Sequence, residues 1–138
     1  VPDVIESLNG RVLFHGIRVK PGMPTMLSVV EDIPVLSLSG NPFAVAALFE
    51  LLVGGYLADR AEEVYIQKKE TKVLRQTFVK TGKPKRIVKG KCDEEGVFLP
   101  QIQRNGQLKN GIGSNCLVVF PEGERTYPEG EKVQVIRI

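Results

Sequence analysis

The sequence contains one stretch that could bind an anion, the Ser39-Gly40-Asn41-Pro42 corner between an apolar strand and an apolar helix. Asn41 is a favourable N-cap residue, and Pro42 suits the first helical position because its missing N–H leaves no intrahelical bond unmade. The first-turn amides and the positive end of the helix dipole would then face the corner. The same residues are also an efficient way to begin any buried helix, so both interpretations stay open.

A second candidate is Lys20, which stands before a Pro-Gly-Met-Pro loop at the end of a predicted strand. Prolines restrict such a loop, and a lysine held on it can direct its ammonium group toward a phosphate or another oxyanion. Lysines beside Pro-Gly turns are also ordinary surface residues. Because one predicted hairpin separates this loop from the helix start, the two features could meet at the same edge of a sheet.

The elements that must position these residues have α/β character in the first part of the chain. The pattern predicts a short helix, a strand, a hairpin turning near Glu31-Asp32 and an apolar helix, over residues 1–8, 11–19, 25–38 and 42–57. These elements are too few to cover both faces of a parallel sheet. We therefore expect the chain to begin inside a domain.

From about Asp59 onward the sequence becomes a series of short β-type segments separated by turn-rich pieces. The segments are VYIQKK, KVLRQTF, KRIVKGKC, GVFLPQIQ, CLVVF and KVQVIRI. Short strands at this spacing are typical of a small sandwich or barrel. The predicted fold is thus an α/β fragment over residues 1–58, followed by a small all-β, barrel-like domain over residues 59–138.

Composition limits the classes of function. Hydrophobic residues make up 42% and charged residues 25% of the chain, which is typical of a globular protein. The net charge of +3 suits a phosphate-rich small molecule as well as nucleic acid. The longest apolar run contains Glu50 and is too short to span a bilayer, so we expect a cytoplasmic protein without a membrane partner. Cys92 and Cys116 are predicted to be reduced and partly buried, and His15 to be structural.

Taken in order, the motifs resemble the C-terminal part of the MoeA and gephyrin E-domain family, the molybdopterin molybdenumtransferases. KPGMP (Lys20–Pro24) is similar to the family's Lys-Pro-Gly-Lys-Pro loop, and SLSGNP (Ser37–Pro42) to its Gly-Leu-Pro-Gly-Asn-Pro corner. SNCLVVFPEG (Ser114–Gly123) is similar to the Ala-Asn-Gly-Leu-Ile-Val-Leu-Pro-Glu-Gly segment. RIVKGKC (Arg86–Cys92) lies where the family has a Phe-x-Arg strand. The resemblance covers essentially the whole chain.

The resemblance implies that residues 1–58 are the last part of a MogA-like α/β/α molybdopterin-binding catalytic domain. Residues 59–138 would be its C-terminal β domain. Enzymes of this family use Mg²⁺, insert molybdate into adenylylated molybdopterin and release AMP. They are homodimers whose site lies between the catalytic domain of one subunit and the C-terminal domain of the other. The chain alone is expected to be inactive, since the family's acidic metal ligands would lie upstream and none is assigned here.

The resemblance also implies site residues. Lys20 and Asn41 would be catalytic. Substrate would bind to the loop, the corner and the β domain, through Lys20, Pro21, Gly22, Ser39, Gly40, Asn41, Pro42, Lys89, Arg104 and Asn105. Without the resemblance, Lys89 and Asn105 would be interpreted as surface residues.

The chain departs from the family at several of these positions. Met23 replaces the second loop lysine, Ser39 a proline, and Asn105 a serine. Lys89 keeps the charge of the family's arginine but loses its bidentate fork. These departures favour an alternative, a non-catalytic molybdopterin-binding paralogue or scaffold.

A basic nucleic-acid-binding β module is a further alternative, suggested by the KTGKPKRIVKGK segment. The basic strands lack aromatic stacking platforms, because Phe78 and Phe98 are isolated and the chain has no tryptophan. Such lysine-rich runs are more typical of a solvated β edge. The helix over 42–57, in contrast, is apolar nearly all round, which predicts exposed apolar surface and self-association.

Overall fold

The structure, a computed structural model, describes residues 1–60, 68–100 and 113–138. Most of its elements are strands. In chain order they are α1 (Pro2–Ser7), β1 (Arg11–His15), β2 (Val19–Lys20), β3 (Met26–Val30), β4 (Ile33–Ser37), α2 (Pro42–Leu48), a π-helical turn (Phe49–Val53), α3 (Gly54–Arg60), β5 (Lys69–Val73), β6 (Phe78–Lys80), β7 (Lys85–Cys92), β8 (Val97–Phe98), β9 (Cys116–Phe120), β10 (Arg125–Tyr127) and β11 (Lys132–Arg137). No helix of the described ranges is long and apolar enough to cross a membrane.

The predicted hairpin is confirmed as β3 and β4. The strands pair antiparallel from Met26–Ser37 to Val30–Ile33, and β1 adds to the outer side of β3. Glu31 and Asp32 form the turn with φ angles of 49° and 65°. Two left-handed residues in a two-residue loop match the right-handed twist of the arms, which makes this turn specific for a hairpin.

The single strand predicted over 11–19 is wrong. Strand β1 ends at His15. Gly16 follows with a φ of +97°, and the next strand, β2, belongs to a different sheet. There it pairs parallel with β7, with Val19 opposite Lys85 and Lys20 opposite Arg86. A left-handed glycine redirects the backbone in a way that a continuous strand does not allow. The strand that carries Lys20 therefore belongs to the sheet of the second half of the chain.

The predicted helix over 42–57 is present as three consecutive helical segments. It begins at Pro42, passes through the π-helical turn Phe49–Val53 and continues as α3. A π-helical turn shifts the register of the faces on either side of it. The sequence pattern predicts the start of this helix but not this shift.

The main sheet has the order β2-β7-β9-β11-β5, with β8 paired to β7, while β6 and β10 form a separate antiparallel pair. The six predicted segments map onto it in part. KVLRQTF is divided between β5 and β6, and β10 lies in a piece that the pattern predicts as turns. Most of VYIQKK and the end of GVFLPQIQ lie outside the described residues.

Two hydrophobic clusters lie on opposite faces of the main sheet, because neighbouring residues of a strand point to opposite sides. Val88, Val118 and Val135 belong to one cluster, together with Phe120. Ile87, Leu117 and Ile136, each next to one of these valines in sequence, belong to the other. This second cluster includes Ala47 and Leu48, so α2 packs directly onto the β sheet.

Candidate functional site

The corner before α2 is built around the side chain of Asn41. Its Oδ1 accepts hydrogen bonds from the amides of Phe43 at 2.9 Å and Ala44 at 3.2 Å, so the predicted N-cap is confirmed. Ser39 Oγ accepts a hydrogen bond from the Asn41 amide at 3.2 Å. Because the cap already uses two first-turn amides, a bound anion would depend on charged side chains near the corner rather than on these amides.

A groove of about 680 Å³ runs beside this corner, between α2 and the face of the main sheet. Its walls are mostly apolar and its charged residues are Lys89 and Glu50. The lining residues are Gly40, Pro42, Phe43, Val45, Ala46, Ala47, Phe49, Glu50, Lys89, Leu117 and Ile138. An apolar cleft with a few convergent polar groups is the usual form of a small-molecule site.

Lys89 reaches the groove because of its place on β7. Ile87 packs in the cluster under α2, and Lys89, two residues further, lies on the same face of the strand. The Lys89 ammonium lies 4.7 Å from the centroid of the Phe43 ring, within the range of a cation–π interaction. The contact connects the helix start in the first half of the chain with a strand of the second half.

The Lys20 loop packs against the same helix, but further along it. Gly22 is buried with a φ of +112°, and a Cβ there would lie 2.3 Å from Leu48 Cδ1. Thr25 Oγ1 donates to the Gly22 carbonyl at 2.7 Å and closes the loop. Leu48 follows Asn41 by seven residues, about 10 Å along the helix axis. The loop therefore lies beside the middle of the helical run and not at its start.

Lys20 itself is exposed at the end of β2 and does not line the groove. Its neighbour across the strands is Arg86, and Lys89 lies three residues beyond Arg86, about 10 Å along β7. Lys20 and Lys89 are thus on adjacent parallel strands near one edge of the sheet, with Lys20 on the face of Arg86 and Lys89 on the opposite face. The two predicted features share a helix and a sheet edge, but only the corner opens into the groove.

The predicted site residues therefore fall into four groups. Gly40, Pro42 and Lys89 line one groove. Ser39 and Asn41 hold the corner beside it, and Pro21 and Gly22 follow Lys20 in the loop against the helix. Arg104 and Asn105 lie outside the described residues.

Eight lining residues were not predicted by the sequence: Phe43, Val45, Ala46, Ala47, Phe49, Glu50, Leu117 and Ile138. Glu50 could have been singled out from the sequence, since it is the one charged residue in the apolar helix predicted over 42–57. Phe43 was a weaker candidate, as the first residue after the Asn-Pro corner. Leu117 and Ile138 look like ordinary strand residues, and only the packing of α2 on the sheet brings them to the groove.

No group of three or more histidine, cysteine, aspartate or glutamate side chains in residues 1–60, 68–100 and 113–138 could hold a metal ion. The donor set for Mg²⁺ is thus not found in this part of the chain, and no chemical step through a metal is derived from it. The two cysteines are free, as predicted, and they are fully buried where only partial burial was predicted. Burial, followed by the neighbouring Cys92, raises the pKa of the Cys116 thiol to about 12, so it is no thiolate nucleophile at neutral pH.

Comparison with known proteins defines the class. Residues 73–138 match the family model of the MoeA C-terminal region (domain IV). A protein of Methanocaldococcus jannaschii assigned to molybdopterin biosynthesis is 32% identical over 126 residues, covering 91% of this chain and 30% of the relative. The molybdopterin molybdenumtransferase of Bacillus subtilis is 28% identical over 143 residues, covering 100% of this chain and 33% of the enzyme.

A solved structure, the MoeA molybdopterin biosynthesis protein of Pyrococcus horikoshii, superposes with a TM-score of 0.82 at 28% identity. The match covers 99% of this chain and 34% of that one. Residues 73–138 thus match the MoeA C-terminal region, the whole chain is similar to molybdopterin molybdenumtransferases and to MoeA structures, and the predicted resemblance is confirmed. The chain spans about a third of the length of the curated relatives it matches.

Proposed function

We propose that this chain is part of a longer protein that inserts molybdate into adenylylated molybdopterin and releases AMP. The observation that carries the proposal is the groove, in which Gly40 and Pro42 meet Lys89 from the other half of the same chain, and not between subunits as the resemblance implied. The family relation supports it, because the relatives named molybdopterin molybdenumtransferase match over this whole chain. The longer protein, and not this chain alone, would carry the activity.

We also propose a division of the chain at residue 58. Residues 1–58 would end a MogA-like α/β/α catalytic domain, and residues 59–138 would form the C-terminal β domain. The packing of α2 and the pairing of β2 on the main sheet support a firm attachment between the two parts. Such an attachment would keep the corner and Lys89 at a constant separation.

In this proposal Lys89 is the main anion-binding residue of the groove. Its ammonium lies at the edge of an apolar cleft, where charge interactions are stronger than in water. The apolar walls, including Phe43, would accept the flat pterin ring, and Lys89 would bind a phosphate or molybdate oxygen. Lys20 remains proposed as an anion-binding residue, but its register partner is Arg86, which lies on the face of β7 opposite to Lys89.

Asn41 would act in this site as a positioning residue. Its side chain holds the first turn and so keeps Gly40 and Pro42 at the mouth of the groove. Arg104 and Asn105 are proposed to add further contacts from the β domain. Mg²⁺ would be held by residues outside this chain, and the protein is proposed to be a cytoplasmic homodimer.

The test is an AMP-release assay on the longer protein with adenylylated molybdopterin, molybdate and Mg²⁺. Lys89→Ala should lower kcat/KM by about tenfold or more, the loss expected for a charge-assisted contact. Lys91→Ala is the matched control, because Lys91 is exposed on the same strand and does not line the groove. Equal rates for Lys89→Ala and the parent protein would contradict the assignment of the groove.

A variant of Asn41 should separate its role as the helix N-cap from its role in the proposed anion site. Asn41→Asp keeps an oxygen for the Phe43 and Ala44 amides but places a negative charge beside the proposed anion. We expect normal thermal stability with a raised KM. An unchanged KM would contradict the proposal that the corner is part of the site.

A non-catalytic molybdopterin-binding paralogue is a second candidate. Met23, with 49% of its surface exposed, occupies the loop position where the family's second lysine would supply charge. This candidate predicts that the longer protein binds adenylylated molybdopterin without releasing AMP. Calorimetric binding together with a null result in the AMP assay would identify it.

A further inference from the structure

A second cavity lies on the other side of β7 from the groove. It has a volume of about 140 Å³. Arg86 and Val88 line it, and Val88 belongs to the cluster on the sheet face opposite α2. The other lining residues include Phe78, Lys80, Thr81 and Pro100. The strand therefore separates this cavity from the proposed substrate site.

Lys80 brings a buried positive charge to this cavity. The residue is 2% exposed, and its ammonium donates to the carbonyl of Gly82 at 2.8 Å and to that of Gly123. An ammonium group has three donors, so one donor remains after these two bonds. Backbone carbonyls satisfy hydrogen bonds but do not neutralise the charge, and an uncompensated buried charge is unfavourable.

No carboxylate compensates Lys80 among the residues that the structure describes. Lys80 makes no ion pair there. The neighbouring Glu124 accepts a hydrogen bond from the Gly82 amide at 2.9 Å and does not line the cavity. The segment 101–112, which follows Pro100 in sequence, contains no aspartate or glutamate. A bound anion would supply the negative charge that the described residues lack at this position.

Arg86 adds a second cation on the same cavity. It is partly buried, and within the described ranges its guanidinium makes neither a hydrogen bond nor an ion pair. A guanidinium offers a planar fork of donors that fits two oxygens of one anion. Thr81 adds a hydroxyl to the lining.

We propose that this cavity is a binding site for a tetrahedral oxyanion of the phosphate class. Arg86 would bind two oxygens of the anion, and the third donor of Lys80 would bind another. The volume is several times the space that one water needs, which suits a phosphate group rather than a single solvent molecule. The site is distinct from the groove at Lys89, and its ligand would bind with the groove empty or filled.

The test is a titration of the ¹⁵N-labelled chain with inorganic phosphate at constant ionic strength, followed by NMR. We expect saturable shifts of the Thr81 and Arg86 amides. Arg86→Gln should weaken the affinity by about tenfold, the loss expected for a bidentate charge-assisted contact. Lys85→Gln is the matched control, because it removes the same charge from the adjacent, exposed residue on the opposite face of β7.

Three results would overturn the proposal: no saturable shift near Thr81, an equal loss in both variants, or shifts confined to the groove around Lys89. Parallel titrations with AMP and with sulfate identify the source of the anion. Binding of AMP at the same amides would indicate a phosphate carried on a nucleotide. Binding of the inorganic ions alone would indicate a free oxyanion, and both of these results support the site.

Discussion

The position of Lys89 in β7 decides which side of the sheet its side chain reaches. The alternation of β7 sends Ile87 and Lys89 toward α2 and sends Val88 to the opposite cluster. The sequence identified Lys89 through a motif, but its contact with Phe43 depends on the helix above it.

Cys116 allows a pH-dependent prediction at the same scale. Its pKa is raised from 9.0 to about 12, chiefly because burial disfavours the thiolate. Between these values the native state keeps a proton that the unfolded state has lost, so the free energy of unfolding must fall as pH rises. Below pH 9.0 this contribution is fully present.

Urea denaturation in steps from about pH 8 to about pH 11 measures this dependence. The slope of the wild-type chain is compared with that of Cys116→Ala, so that effects common to both chains cancel. We expect a clearly shallower alkaline loss of stability in the variant. Identical slopes would show that Cys116 does not titrate as inferred.

The Lys20 loop and the helical run from Pro42 to Arg60 form one packed element. Gly22 is the contact point, because its missing side chain lets the loop backbone lie against Leu48. This arrangement explains the glycine of the KPGMP motif in two ways, by its φ of +112° and by the close approach of the helix. The loop motif therefore packs the backbone against the helix and also holds Lys20.

Gly22→Ala should destabilise the chain by about 2 kcal/mol or more, because it combines a strained left-handed alanine with a clash against Leu48. Gly55→Ala is the control of opposite sign. Gly55 lies in α3 with nothing within 4 Å of an added Cβ, so alanine should stabilise by about 0.5–1 kcal/mol. Urea midpoints measure both. A neutral Gly22→Ala would contradict the packing of the loop on the helix.

At the scale of the whole molecule, the helical run has one covered and one uncovered side. Ala47 and Leu48 are buried against the sheet, whereas Val45, Phe49 and Leu52 are 37%, 42% and 40% exposed. These exposed residues are spaced by three or four positions and form a stripe. An apolar stripe of this kind supports the expected self-association of the chain.

Leu52→Glu should weaken self-association by about tenfold or more, since it places a charge within the stripe but outside the groove. Ile33→Glu is the control, because Ile33 is 63% exposed on the hairpin, away from the helix. Sedimentation of the wild-type chain and both variants over a concentration series measures the association. The stripe is not an interface if the wild-type chain stays monomeric, or if both substitutions change the association equally.

Some features follow from the sequence alone because their causes are local. The two-residue turn at Glu31-Asp32, the cap at Asn41 and the alternating residues of β7 depend on neighbours within a few positions. Short-range sterics and hydrogen bonds decide such features, so pattern reasoning predicts them. The motif order also led to the resemblance that the comparisons confirm.

Other features were decided only by tertiary structure. β2 leaves the first sheet to pair with β7, β10 forms in a piece rich in turn residues, and Phe43 meets Lys89 across the two halves of the chain. Each of these depends on a partner that is distant in sequence, and the local pattern carries no information about which partner is chosen. The hydrophobic burial of α2 against the sheet forms the groove, while the β6–β10 pair packs through Phe78 and Tyr127 on the other cluster.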